Sequence, residues 1–132
     1  MEKEFNPYEK EFNPYEQALE LKEIGFDEPC FGNWQDMKEE TPWFSKSYAD
    51  NQNQYYGQLC SAPTFSQAFR FFREKYGLKS WIEEHTENSY IYEIRPHKLA
   101  DYKEGEIYVY VTYEEAELAC LKKLIEIVKK IK

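Results

Sequence analysis

"TFSQAFRFFREKYGLKSWIEEHTENSYIYEIR", Thr64 to Arg95, decides the fold, because its hydrophobic period changes halfway along. In the first half Phe65, Ala68, Phe69, Phe72 and Tyr76 stand at i, i+3, i+4, i+7 and i+11, which is one face of a helix. Thr64 and Gln67 form a capping box ahead of that face and Gly77 supplies a stop, so a helix is expected over 64–76. Beyond Gly77 the period falls to two. KSWIEEH (79–85) and NSYIYEIR (88–95) are β-rich runs separated by polar turn residues. In the second run Tyr90, Tyr92 and Ile94 share one face, and Ile91 and Glu93 take the other.

Downstream, RPHKLADYKEG is a loop and EIYVYV (106–111) is expected as a third strand. Its Ile107, Val109 and Val111 face inward, against Tyr108 and Tyr110. Thr112 and Glu115 repeat the capping-box spacing before a long helix over 113–131. Cys120, Leu124, Ile127 and Ile131 line its apolar stripe, widened by Ala116, Leu121 and Val128. Acids open this helix and lysines close it, as its macrodipole favours.

Upstream, KEFNPYE occurs twice in succession, at 3–9 and 10–16. Asn13, Pro14 and Glu16 are spaced as N-cap, first helical residue and capping-box acid, and a helix is expected over 14–24. Gly25 is its expected left-handed C-cap, with Phe26 folding back on the last turn. The first copy, within a duplicated extension 1–12, has only a short run after it. It reads either as a tandem duplication leaving a redundant turn, or as a tyrosine recognition motif in two copies. Residues 27–63 carry few regular signals. Short strands fit Cys30–Trp34 and Gln54–Cys60, and 36–58 is expected as a long irregular loop anchored by Met37, Trp43, Phe44 and Tyr48. A loop of that length in a compact domain is usually functional or mobile.

These signals predict a single α+β domain over 1–132. Its three-stranded antiparallel sheet is packed by helices in the order α-β-β-β-α over 64–132, with an added N-terminal helix. The length alone supports one domain with its own core. Twelve Tyr, nine Phe and three Trp make that core unusually aromatic and leave rings for a partner. Cys30, Cys60 and Cys120 are odd in number and unpaired in spacing, and the N-terminal residues are polar. A reduced, cytoplasmic protein without a signal peptide is therefore expected. No apolar stretch approaches the roughly 20 residues that span a bilayer.

The net charge is −8, and residues 1–30, with nine acids and three bases, hold −6 of it. Such a balance disfavours general nucleic-acid binding and suits occupation of a basic groove on a nucleic-acid enzyme. Plain solubility is the other use of that charge. Residues 61–80 run the other way, with one acid against Arg70, Arg73, Lys75 and Lys79. Arg70 and Arg73 are helical neighbours, and with Phe71 expected on the same outer side they suit a phosphate-bearing or acidic partner. The alternative is a solvated helix face.

The α-β-β-β-α order matches a double-stranded RNA-binding domain, but such domains open their last helix with lysines, and here Glu114, Glu115 and Glu117 stand there. The cysteines, His85 and His97 have no ligand spacing, so no metal and no cofactor is expected. A Cys/His nucleophile would have to assemble in space, since no GxSxG, HExxH or phosphate-binding glycine loop occurs.

YEQALELKEIGFDEPCFGNW, SAPTFSQAFRFFREKYGLKSWI and TYEEAELACLKKLIEIVK together cover roughly half the chain. They resemble a family of small proteins found in Bacteroidota, their prophages and their phages. The family carries no established catalytic or ligand-binding residues to transfer, and the duplicated NPYE and the long segment 36–58 depart from its pattern. The resemblance implies an accessory protein of a phage or mobile element. Small acidic proteins of that kind often act by binding a host protein, inhibitors of host defence such as anti-CRISPR proteins among them. The expected function is thus a non-enzymatic protein-binding module directed at a host protein, with a nucleic-acid-processing enzyme as its target. Expected contacts are Trp43, Phe44, Tyr48, Tyr55, Tyr56, Arg70, Arg73, Lys75 and Lys79. The alternatives are a nucleic-acid-binding domain using the 70–79 patch and an enzyme with a spatially assembled Cys/His site.

Overall fold

The computed structural model describes residues 11–28, 30, 32–34, 43–44, 60–96 and 108–131, with the backbone alone for 32–34, 43–44, 60 and 61. The architecture is α+β. The chain divides into two compact units, Met1–Gln67 and Ala68–Lys132.

In the first unit, helix α1 (Tyr15–Glu23) precedes strands β1 (Gly32–Trp34), β2 (Trp43–Phe44) and β3 (Cys60–Ala62). The strands form a small antiparallel sheet in the order β2-β1-β3, with Asn33 paired to Trp43 on one side and Ser61 on the other. β1 lies inside the span expected for it. β3 begins at Cys60, the last residue of the other expected strand. β2 was not expected, because two residues inside a polar stretch carry no measurable period. The remainder of 36–58, and residues 1–10, lie outside the described residues.

Helix α1 packs on β3 through a cluster of Phe12, Ala18 and Ala62, with Tyr15 and Leu19 against it. Its C-terminus is built as its sequence predicts. Gly25 sits at φ 102°, where an L side chain would be strained. The Phe26 N–H reaches the Leu21 carbonyl at 2.8 Å and the Gly25 N–H reaches that of Lys22 at 3.1 Å. This is a Schellman motif, with Phe26 and Leu21 both buried.

The N-terminus differs from expectation. Pro14, at ψ 156°, is the cap residue, its carbonyl accepts the Ala18 N–H, and no side chain caps the helix. Asn13 is fully buried, its N–H donates to Pro63 O at 2.9 Å, and its amide Nδ2 faces Thr64 O at 3.5 Å. Beside it Phe12 bridges Thr64. Tertiary pairing has claimed the residue that the local pattern offered as a cap.

Helix α2 (Phe65–Tyr76) has the predicted capping box in full. The Gln67 N–H donates to Thr64 Oγ1 and the Thr64 N–H to Gln67 Oε1, both at 3.2 Å. Gly77, at φ 69°, turns the chain, and the Leu78 N–H returns to Phe72 O. Ala68 and Phe72 are buried as expected. Phe71 was placed outside but is buried too, edge-on to Phe72 at 5.3 Å and to Tyr76 at 5.7 Å.

Strands β4 (Lys79–Thr86) and β5 (Ser89–Arg95) make an antiparallel hairpin, and helix α3 (Tyr113–Ile131) packs against both. Among the described residues the expected third strand is not formed. Among the described residues of 106–111, Tyr110 makes one isolated bridge to Tyr90. The chain leaves the ladder there because Val111 and Thr112 are already committed to the α3 cap. Thr112 Oγ1 accepts the Glu115 N–H at 3.1 Å, and the Glu115 carboxylate accepts the Val111 N–H at 3.3 Å. The box therefore reaches one residue further back than the pattern implies. Among the described residues the sheet of this unit has two strands, and the likeness to a double-stranded RNA-binding topology ends with the third. Helix α3 buries Ala116, Cys120, Leu121, Leu124, Ile127 and Val128 as expected, and also Ile125, while Ile131 is exposed.

Candidate functional site

Register sorts the hairpin side chains by face, because residues directly opposite share a side. Ser80, Ile82 and Glu84 lie opposite Ile94, Tyr92 and Tyr90. This is the face that α3 covers. The Cys120 thiol is hydrogen-bonded with Ser80, and the Tyr113 ring meets Tyr90 edge-on at 5.9 Å. The other face carries Lys79 opposite Arg95, Trp81 opposite Glu93 and Glu83 opposite Ile91. There Lys79, Trp81, Glu83 and Arg95 are all exposed, Trp81 by 42%, and the Glu93 carboxylate lies 3.9 Å from the Arg95 guanidinium.

The sequence-predicted cations occupy one neighbourhood of the second unit. Arg70, Arg73 and Lys75 are exposed on α2, and Lys79 opens β4 after the Gly77 turn. The Lys75 ammonium lies over the Phe71 ring at 5.5 Å and the Tyr76 ring at 5.7 Å. The fold adds Arg95, which sequence reasoning missed because only the hairpin register brings it opposite Lys79. It also adds Trp81, whose exposure follows from the face α3 leaves uncovered. Of the predicted aromatic contacts, Trp43 and Phe44 form β2, while Tyr48, Tyr55 and Tyr56 lie outside the described residues.

A line of carboxylates lies on α1, with Glu16 and Glu23 exposed and Glu20 half-buried. Glu16, Glu20 and Glu23 fall at i, i+4 and i+7, one line on the side away from buried Gln17, Ala18 and Leu21, and Asp27 follows beyond the helix. The spacing is legible in the sequence once the helix is fixed. The charge is divided between the units with equal sharpness. Residues 1–67 hold 13 acids and 5 bases, so −8, and residues 68–132 hold 12 of each, so 0.

Three described groups, Cys120, Tyr110 and Tyr113, titrate above their ordinary values. Burial pushes the Cys120 thiol up to about 12, against a smaller lowering by the Ser80 hydrogen bond, so at neutral pH it is a protonated thiol. Cys30 is buried, with its Sγ 3.4 Å from Glu28 O. His85 is exposed on β4, and the Cys60 side chain and His97 lie outside the described residues. Burial, more than the neighbouring Cys120, raises Tyr110. Burial, then Glu117 and Glu114, raises Tyr113, so both stay neutral phenols. Among the described residues no three of His, Cys, Asp and Glu are grouped to hold a metal ion, and no helix is long and apolar enough to cross a membrane. Comparison of the chain with family models, with curated proteins and with solved structures gave no match.

Proposed function

We propose that this chain is a non-enzymatic protein-binding module, an accessory protein of a phage or mobile element that occupies a basic surface on a host nucleic-acid-processing enzyme. The observation that carries the reading is the division of charge: the whole of the −8 belongs to residues 1–67. A negative field concentrated on one unit steers association with a basic groove and opposes direct contact with phosphates. The α1 line of Glu16, Glu20 and Glu23 gives that field a regular surface. The resemblance to small proteins of Bacteroidota phages supplies the biological setting, and inhibition of host defence in the manner of anti-CRISPR proteins is the activity it suggests.

The test is capture by tagged protein from a Bacteroidota lysate, with and without nuclease. A stoichiometric, nuclease-resistant host protein is expected, with capture reduced by the triple change Glu16→Gln, Glu20→Gln and Glu23→Gln. Capture indifferent to that change removes the acidic line from the contact.

A second reading, direct binding of nucleic acid, is favoured by one observation: Arg73, Lys75, Lys79 and Arg95 are all exposed within the charge-neutral unit. Its affinity would fall steeply with salt. Capture that vanishes with nuclease would favour it over the first reading.

A further inference from the structure

The hairpin face that α3 leaves uncovered is laid out in rows by its register: Lys79 opposite Arg95, then Trp81 opposite Glu93, then Glu83 opposite Ile91. Lys79, Trp81, Glu83 and Arg95 are all exposed. Cations directly opposite each other are unfavourable in a sheet, and the Glu93 carboxylate stands beside this pair, 3.9 Å from Arg95. An anion between Lys79 and Arg95 would relieve the repulsion. Arg73 and Lys75, in the last turn of α2, carry the positive stretch toward Lys79. Trp81 stands one row from the cations. Residues two apart on a strand lie about 7 Å apart on one face, and the diagonal Arg95 is about as near, within reach of a large ring. That ring is 42% exposed, and on its other side Glu83 offers a carboxylate, which accepts hydrogen bonds and donates none. The face belongs to residues 68–132, whose charges sum to 0, so the −8 of residues 1–67 is not on it.

We infer that this face binds single-stranded nucleic acid, with a phosphate at Lys79 and Arg95, the adjoining base stacked on Trp81, and the exocyclic amino group of that base donating to Glu83. The inference rests on the second functional reading above and gives it a site. The occupant is selected by three chemistries in adjoining rows. The cations call for an anion. The exposed ring calls for a flat π-system, and stacking of bases on aromatic side chains is the usual means of holding a single strand. The carboxylate beyond the ring calls for a hydrogen-bond donor. A nucleotide with an amino-bearing base supplies all three in one unit. An acidic peptide would satisfy the cations but bring further carboxylates toward Glu83 and Glu93. A duplex keeps its bases stacked on one another and has none to offer Trp81. A strand also carries further phosphates for Arg73 and Lys75. Glu83 sets a preference: a carboxylate accepts from the N4 amino group of cytosine, whereas thymine presents an O4 acceptor at the same place.

Fluorescence anisotropy of labelled oligo-dC, oligo-dT and a DNA duplex, titrated with the full chain at several salt concentrations, tests this. Oligo-dC is expected to bind about threefold or more tighter than oligo-dT, and both tighter than the duplex. Lys79→Ala should flatten the dependence of log affinity on log salt by about 0.7, the share of one phosphate contact on a single strand. Trp81→Ala should weaken both oligonucleotides about tenfold, whereas Trp81→Phe, which keeps a ring, should retain most of the affinity. Glu83→Ala should erase the preference for oligo-dC without weakening oligo-dT. Trp81 and Glu83 are exposed, so these variants are expected to fold, as far-UV circular dichroism would verify. Oligonucleotide binding that ignores Trp81→Ala, or a preference for the duplex, overturns the inference and leaves the broader nucleic-acid reading standing. No binding of any of these probes at low salt overturns both.

Discussion

Lys79 stands directly opposite Arg95 in the β4–β5 ladder, so two cations share one end of one sheet face. Like charges directly opposite each other destabilise a sheet. The nearby Glu93 carboxylate, 3.9 Å from Arg95, offsets part of that cost. Replacing Lys79 by Glu turns the pair attractive and is expected to stabilise the domain by a few tenths of a kcal/mol at low salt, with the gain shrinking as salt rises. Chemical denaturation of both proteins at two ionic strengths measures it. The same variant separates the two functional readings. It should weaken any nucleic-acid affinity and lower its salt dependence, and leave a contact made by the acidic unit intact.

The helix starts give a paired prediction. Thr64 and Thr112 accept the N–H three residues on, so Thr64→Ala and Thr112→Ala should each cost about 1 kcal/mol. Asn13 has the same local sequence context but a different job. Were it an N-cap, Asn13→Asp would be nearly neutral, since both residues cap well. In its buried position beside Thr64 O and Pro63 O, an introduced carboxylate faces acceptors and loses the amide donor. The cost is expected at about 2 kcal/mol or more. Burial would raise the pKa of the new carboxyl, so the penalty should be smallest below about pH 4 and grow as the pH rises above it. A pH-independent, near-zero change would return Asn13 to the capping role.

Helices with two turns or more of periodic sequence were legible, and so were glycine stops. α2, α3 and the Gly25 and Gly77 turns sit where their spacing puts them, because those signals act within a few residues and no tertiary contact competes. Three features were not legible, each for a long-range reason. Asn13 was claimed by Pro63 and Thr64, some fifty residues away. The strand pattern of 106–111 was cut short at Tyr110 because the next two residues serve the α3 cap. The facing of Arg95 and Lys79 depends on hairpin register, which the turn sets and single-strand periodicity does not reveal.

Phe71 tests the sorting of α2 into core and surface. Sequence spacing puts it beside Arg70 and Arg73 on the outer side, where Phe71→Ala would change binding and leave stability alone. It is 5% exposed and packed edge-on against Phe72 and Tyr76. The substitution should therefore cost about 3 kcal/mol or more, in the range of other buried Phe→Ala changes. It also removes one ring beneath the Lys75 ammonium. Arg73→Ala, on an exposed side chain of the same helix, should stay within about 0.5 kcal/mol of wild type. Equal midpoints for the two variants in a urea titration would mean that Phe71 is not core.

Cys120 gives the alkaline limit of stability. The thiol, carried by α3 and set beside Ser80, is fully buried, and burial pushes it up to about 12. In the unfolded chain it ionises near the ordinary thiol value of about 8.5. A folded-state pKa above the unfolded one means that the unfolded state loses its proton first as pH rises. The contribution of the neutral thiol is thus complete below about pH 8.5 and is lost progressively towards about 12. Cys120→Ala removes the titration and some packing. It is expected to be less stable than wild type at pH 7, with the difference narrowing as pH is raised through that window. Thermal melts of both proteins between neutral and alkaline pH measure this. Alkylation followed by mass spectrometry gives an independent readout: Cys120 should react only as fast as the domain opens, with protection that denaturant removes. Fast modification of Cys120 in the native protein at pH 7 would show an ionised, accessible thiol and reinstate it as a candidate nucleophile.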